Sequence, residues 1–197
     1  LRKNNITKYK IILEPVKKNT APAILSSTLI KDIPDKQPLI FFTADHLIEN
    51  VSNFNVEVKK NIKFLTEKNI FIFGIKPNKP SDQYGYFITK NKRKLNKVSN
   101  FIEKPNQIRA KSLINKGAHW NSGIFFLRKD SVNSNYKKYH KNIYRNSLIA
   151  VSKSRYKNNT YYLNKDAFNK NHSKSFDHAI LEKTKDINAI KLNITWS

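Results

Sequence analysis

Two adjacent titratable side chains close an apolar run: in "FFTADHLI", residues 41–48, Asp45 and His46 follow Leu39, Ile40, Phe41 and Phe42. In open α/β sheets ligands collect beyond the carboxyl ends of strands, where helix N-termini converge. A carboxylate there suits Mg²⁺, which takes one or two protein carboxylates together with phosphate oxygens. An Asp that caps the next helix explains the same residues without a ligand. Two further groups could meet a polar ligand. Glu103 and Lys104 in "FIEKP" stand where a strand meets Pro105, and Asn121 and Gly123 in "WNSGIFF" set an amide beside bare backbone. Carboxylates and amides of this kind bind sugar hydroxyls; taken singly they read as an exposed ion pair and a turn Asn. The fourth stretch is "EPVKKNTAPAI", a strand end feeding a helix that Asn19 or Thr20 caps, with Ala21 and Pro22 in its first turn. Such a start lets a planar ligand approach the backbone, although a well-formed helix start accounts for it equally well.

Other chemistries find no support. There are no cysteines, which removes disulfides, thiolate-ligated zinc and thiol catalysis together. His46, His119, His140, His172 and His178 show no metal-ligand spacing, and Ser122 lacks a Gly-x-Ser-x-Gly frame.

The elements that must hold these groups follow from apolar periodicity. "YKIIL" (residues 9–13), "PLIFF" and "NIFIFGI" read as buried strands. Helices are expected from residues 19–20 onward and over residues 52–68, where Val51, Phe54, Val58, Ile62 and Leu65 recur at helical spacing. Continuous rather than alternating apolar strands between helices indicate an α/β fold with a parallel sheet covered on both faces. Beyond it, "YGYFIT" and "VSNFIEKP" read as strands about the basic turn "KNKRKLNK", and "NQIRAKSLINKG" as a short helix closed by Gly117. "HWNSGIFFL" and "INAIKLNITW" are further strands, "FDHAILEKT" a helix, and residues 129–165 helices with polar loops. At 197 residues and 39% hydrophobic, one domain spanning 1–197 is expected. No apolar run is long enough for a signal peptide or a membrane span, so a cytoplasmic location without membrane partners is the expectation.

The formal charge of +24 attracts polyanions and raises a nucleic-acid-binding module as an alternative, strongest in "YKKYHKNIYRNSLIAVSKSRYKNNTYY", where aromatics interleave with cations. Against it, the cations are 32 Lys and only 6 Arg, whereas base and phosphate recognition favours the Arg fork. Lys, Asn and Ile supply 81 of the 197 residues, and all three have A- and T-rich codons, so the charge is expected to reflect genome composition.

Taken in order, "ILEPVKKNTAPAI", "FTADHLI", "FGIKPNKPSDQYGYFI", "FIEKP", "WNSGIFF", "SFDHAILEKT" and the terminal "TWS" resemble the sugar-nucleotide pyrophosphorylases, in particular the bacterial mannose-1-phosphate guanylyltransferases, over residues 11–197. The resemblance implies a glycosyltransferase-A-like, Rossmann-like fold, with a mixed, mostly parallel sheet flanked by helices. It implies a nucleotidyltransferase in which mannose 1-phosphate attacks the α-phosphate of GTP, giving GDP-mannose and pyrophosphate with Mg²⁺ as cofactor. Asp45 matches the catalytic, metal-holding aspartate of that family. Asn19, Thr20, Ala21, Pro22, Ala44, Asp45 and His46 match its nucleotide-side segments. Tyr84, Gly85, Glu103, Lys104, Asn121 and Asp177 fall on its sugar-side blocks. Another sugar-1-phosphate nucleotidyltransferase, using UTP or a different sugar, and a non-catalytic regulatory relative are the alternatives within the class. A homo-oligomer and a fused mannose-6-phosphate isomerase domain are left open.

The chain departs from the family pattern in several places. Thr43 replaces a proline, Asp82 and Gln83 stand where Thr-Gly is usual, and Lys17 and Lys18 stand where Gly-Arg is usual. The family's glycine-rich phosphate loop and first sheet strand would lie upstream of Leu1, and its second metal-binding Asp would follow Ser197. With no methionine anywhere, the chain suits a processed product or a piece of a longer protein. The expectation is an incomplete N-terminus, apolar strand edges without partners and no catalysis by these 197 residues alone.

Overall fold

A computed structural model describes residues 6–92 and 95–192. The "TWS" block at Thr195, Trp196 and Ser197, and the centre of the basic turn at residues 93 and 94, lie outside the described residues.

Six strands form the main sheet: β2 (Pro38–Phe41), β3 (Ile70–Ile75), β4 (Tyr86–Lys92), β5 (Leu95–Ile102), β6 (His119–Arg128) and β9 (Ile187–Leu192). Their order is β2-β6-β3-β9-β5-β4, and the start of β4 also pairs with the start of β6. The sheet therefore curls until β4 returns to β6. β1 (Ile11–Leu13), β7 (Arg155–Lys157) and β8 (Thr160–Tyr162) form a second, small sheet in the order β1-β8-β7.

The helices are α1 (Thr20–Thr28), α2 (Val51–Asn61), α3 (Gln107–Asn115), α4 (Lys129–Tyr139), α5 (Lys141–Ser152) and α6 (Lys165–Asn169), with a π-helical turn over Asp177–Leu181. Both faces of the main sheet are covered, as continuous apolar strands require. On one face Ile70, Ile72, Phe125 and Leu127 pack with Leu25 of α1, Val132 and Tyr136 of α4, and Phe176 and Ile180 beside and within the π turn. On the other, Phe71, Phe73 and Phe126 pack with Phe54 of α2 and with Ala110 and Leu113 of α3. β3 is buried at every position, the signature that "IFIFGI" carried.

The α/β class holds, and strand direction needs a correction. β2, β3, β9 and β4 all run one way, as a mostly parallel sheet demands. β6 and β5 run against them and stand between them, so β3–β9 is the one parallel neighbour pair described in this sheet. A continuous apolar run reports burial on two faces, not direction, so the sequence could not carry this.

Four local expectations also change. "YKIIL" is not a buried sheet strand: Ile11 is 36% and Leu13 45% exposed in β1, which pairs in parallel with β8. β2 is a half-buried edge, and Phe42 beyond it is 56% exposed. The helix expected to residue 68 ends at Asn61, with a 3₁₀ turn over Ile62–Phe64, because the Asn69 side chain binds Phe64 O and Thr66 N instead. Between α5 and α6 the Tyr-rich segment forms the β7–β8 hairpin, turned by Asn158 and Asn159 at positive φ. Asn tolerates that left-handed conformation better than most residues.

Candidate functional site

Sheet curling builds the site. β4 pairs with β6 through Tyr86↔Trp120, and just outside that pairing Asn121 N donates to Gly85 O at 2.8 Å. The end of β5 then delivers Glu103, and the π turn begins at Asp177 beside them. His46, Gln83, Tyr84, Gly85, Glu103, Asn121, Ser122, Gly123 and Asp177 line one cavity of about 160 Å³.

Each wall has a local cause. Gly85 lets Glu103 lie on the backbone: a Cβ at Gly85 would stand 2.5 Å from Glu103 Oε2. Gly123 has φ +73 within β6, a conformation that glycine adopts without cost. The Asn121 side chain bridges the site, its Nδ2 donating to Asp177 Oδ1 at 2.8 Å and its Oδ1 accepting from Gly123 N at 3.3 Å. The Tyr84 ring lies 4.9 Å from Trp120 and closes the apolar side.

Charge inside the cavity is carried by two carboxylates. Burial first, and the neighbouring Asp177 carboxylate second, together push Glu103 up to about 7 against the opposing pull of Lys104 and His178. Burial also raises Asp177, while its backbone hydrogen bond and the Asn121 amide hold it down. Glu103 Oε2 is buried with no hydrogen-bond partner among the described residues. A buried polar oxygen left without a donor is costly, so the cavity favours a ligand that brings one.

Asp45 stands apart from this buried pair. It lies in the turn after β2 with its side chain 86% exposed, 4.0 Å from His46 Nε2. It does not cap α2, whose cap is Asn50 accepting from Asn53 N. Thr43 Oγ1 lies 2.5 Å from His46 Nδ1 and fixes the ring that reaches the cavity. Among the described residues no group of three or more acidic or histidine side chains forms a protein-only metal cage. One exposed carboxylate fits a cation that shares phosphate oxygens, which is how Mg²⁺ is usually held.

The structure thus brings together Tyr84, Gly85, Glu103, Asn121, Asp177 and His46. Lys104 is adjacent but exposed, with φ 44. Ala44 is an exposed turn residue. Asn19, Thr20, Ala21 and Pro22 do not line the cavity. Asn19 caps α1 by accepting from Thr20 N, and Thr20 Oγ1 accepts from Phe176 N at 2.8 Å, so this helix start abuts the residue before Asp177. Ala21 and Pro22 are buried. Gln83 and Ser122 are the cavity residues that pattern reasoning did not select. Gln83 stands at a departure from the family pattern, which was a signal; Ser122 offered none. A larger groove of about 380 Å³ lies between β5 and the segment after the π turn, but it gathers none of the buried carboxylates.

A family model described as nucleotidyl transferase matches residues 2–192. Mannose-1-phosphate guanylyltransferases of Klebsiella pneumoniae and Escherichia coli are 32% and 34% identical over the whole of this chain. The alginate biosynthesis protein AlgA of Pseudomonas aeruginosa is 29% identical over the same extent. The chain spans 43%, 45% and 42% of the length of these curated relatives. Among solved structures, one described as mannose-6-phosphate isomerase from Helicobacter pylori matches all of this chain and 77% of its own, with a TM-score of 0.88 at 27% identity. One described as a mannose-1-phosphate geranyltransferase from Thermus thermophilus matches with a TM-score of 0.80 at 19% identity, covering 94% of this chain and 53% of that one, and so speaks to the fold alone.

Proposed function

The chain belongs to the nucleotidyl transferase family, and from that premise we propose that it forms part of a guanylyltransferase making GDP-mannose from GTP and mannose 1-phosphate. A phosphate oxygen of mannose 1-phosphate attacks the α-phosphorus of GTP, and the bond to the β-phosphate oxygen breaks, releasing pyrophosphate. Such transfers depend on positioning and charge neutralisation rather than on a covalent intermediate with the protein.

The observation that carries this reading is the buried Oε2 of Glu103, without a hydrogen-bond partner among the described residues, in a small cavity shared with Asp177 and Asn121. Sites for drug-sized ligands span roughly 300–1,000 Å³, so a cavity of about 160 Å³ suits one sugar ring rather than a whole nucleotide. Glu103 and Asp177 accept from ring hydroxyls, Asn121 stays oriented by Asp177, and Tyr84 covers an apolar edge of the ring. Lys104, exposed at the rim, faces the sugar phosphate. Asp45, with His46 and Ala44 beside it, would hold Mg²⁺ through its exposed carboxylate, and the chemistry supplied there would be neutralisation of phosphate charge. The nucleotide lies on the side of Asn19 and Thr20. The relatives named as guanylyltransferases support guanine and mannose over other pairings.

The test uses the protein expressed from its full open reading frame, with GTP, mannose 1-phosphate and Mg²⁺. GDP-mannose formation is expected, as is its loss in Glu103→Ala. Equal turnover of UTP or of glucose 1-phosphate would move the assignment to another member of the family, and no turnover of any pair would remove it.

A further inference from the structure

Residues 81–85, the sugar-side rim, have no regular secondary structure, yet three of them, Gln83, Tyr84 and Gly85, line the cavity. Something must fix this segment. Its anchor lies inside the core. Tyr86, 0% exposed at the first position of β4, donates its hydroxyl hydrogen to Ser81 O at 3.0 Å and accepts from Ser81 N at 2.9 Å. One phenol therefore satisfies both backbone groups of Ser81, itself only 8% exposed. Ser81 Oγ in turn accepts from Gln83 N at 3.1 Å, and the Gln83 amide donates to Asp82 Oδ1 at 2.8 Å. The backbone of Tyr86 is held by pairing with both Ile102 and Trp120, and its side chain packs within the buried cluster. The chain of contacts runs from the sheet, through one hydroxyl, to the residues that face the ligand.

We propose that Tyr86 is a positioning residue: its buried hydroxyl clamps Ser81 and thereby sets where Gln83 and Tyr84 stand in the cavity. It touches no ligand. The inference rests on the reading of this cavity as the sugar subsite, and it explains how the Asp82-Gln83 departure is accommodated. A rim without a glycine there can keep one geometry because its backbone is tied from beneath.

Tyr86→Phe removes the hydroxyl and keeps the ring, so β4 packing survives. Two measurements on this variant separate the clamp from the function. Hydrogen exchange is expected to quicken at the amides of residues 81–85, by about tenfold for the loss of hydrogen bonds of this kind, with the rest of β4 unchanged. Calorimetric titration of the full-length protein with mannose 1-phosphate is expected to show about tenfold weaker binding, with GTP affinity unchanged. Ser81→Ala, which spares the two phenol bonds, should loosen Gln83 alone. Unchanged exchange at residues 81–85 would overturn the clamp, as would equal losses of affinity for both ligands or no loss for the sugar phosphate. If the unaltered protein binds no mannose 1-phosphate, the proposed function falls, and the exchange result alone decides whether Tyr86 holds this rim.

Discussion

Glu103 concentrates the physics of the site in one side chain. Folding raises its carboxyl from an ordinary value of 4.5 to about 7, so the folded protein binds that proton more tightly than the unfolded chain. Stability from this source is fully present below pH 4.5 and falls as the pH climbs to about 7, and raised Asp177 adds in the same direction. Thermal unfolding midpoints of Glu103→Gln should therefore decline less than those of the unaltered protein between pH 5 and 8; equally steep declines would mean that Glu103 does not titrate as its burial demands. At this scale much was legible. Asp45, Glu103 and Asn121 stand out as carboxylates and an amide beside apolar strands, whereas Asp177 is reached only through the family resemblance. What the sequence could not carry was their division into an exposed Asp45 and a buried Glu103–Asp177–Asn121 group. That division depends on the curl of the sheet, which brings residues 85, 103, 121 and 177 to one place. Nor could it show that Ala21 and Pro22 turn inward, because helix starts that face a ligand and those that face the core share one vocabulary.

Elements fix the site through glycine and through buried hydroxyls. Gly85→Ala would drive a methyl against Glu103 Oε2 and, at 3.2 Å, the Phe101 ring. The expected loss is about 1–3 kcal/mol in denaturant unfolding, together with weakened sugar-phosphate binding. In the core cluster that Phe101 packs against, Tyr136 of α4 donates to Ala21 O of α1 at 2.8 Å from a fully buried position. Tyr136→Phe should cost about 0.5–1.5 kcal/mol, the net worth of one buried hydrogen bond; no measurable change would show that α1 docks by apolar contact alone. Helix and strand positions were readable where periodicity was strong, as in β3 and α3. Strand direction was not, because apolar continuity says nothing of polarity, and β6 enters antiparallel between β2 and β3. The β7–β8 hairpin was hidden by a Tyr-, Lys- and Asn-rich composition shared with the adjoining helices. Its turn rests on Asn158 and Asn159 at positive φ, a role that the Asn-rich background masks.

Across the whole molecule, a formal charge of +24 opposes compactness through self-repulsion. Raising salt from 20 to 300 mM should lift the thermal midpoint, because screening at about 10 Å or less reaches most surface pairs. A midpoint that falls with salt would mean that ion pairs outweigh repulsion. The same surface could hold single-stranded nucleic acid weakly, and binding of that kind should vanish over this salt range without sequence preference. No helix among the described residues is long and apolar enough to cross a membrane. The proposed function has exposed Asp45 and the buried carboxylate pocket serve one transfer reaction. Pyrophosphate release by the full-length protein, measured with GTP, mannose 1-phosphate and Mg²⁺, tests it most directly when the unaltered protein is set beside Asp45→Asn. Steady release by the former and a fall of at least about 100-fold in the latter, with an unchanged unfolding midpoint, are expected, as for loss of a charge-stabilising contact. Equal rates in the two proteins, or no release from either, would contradict it.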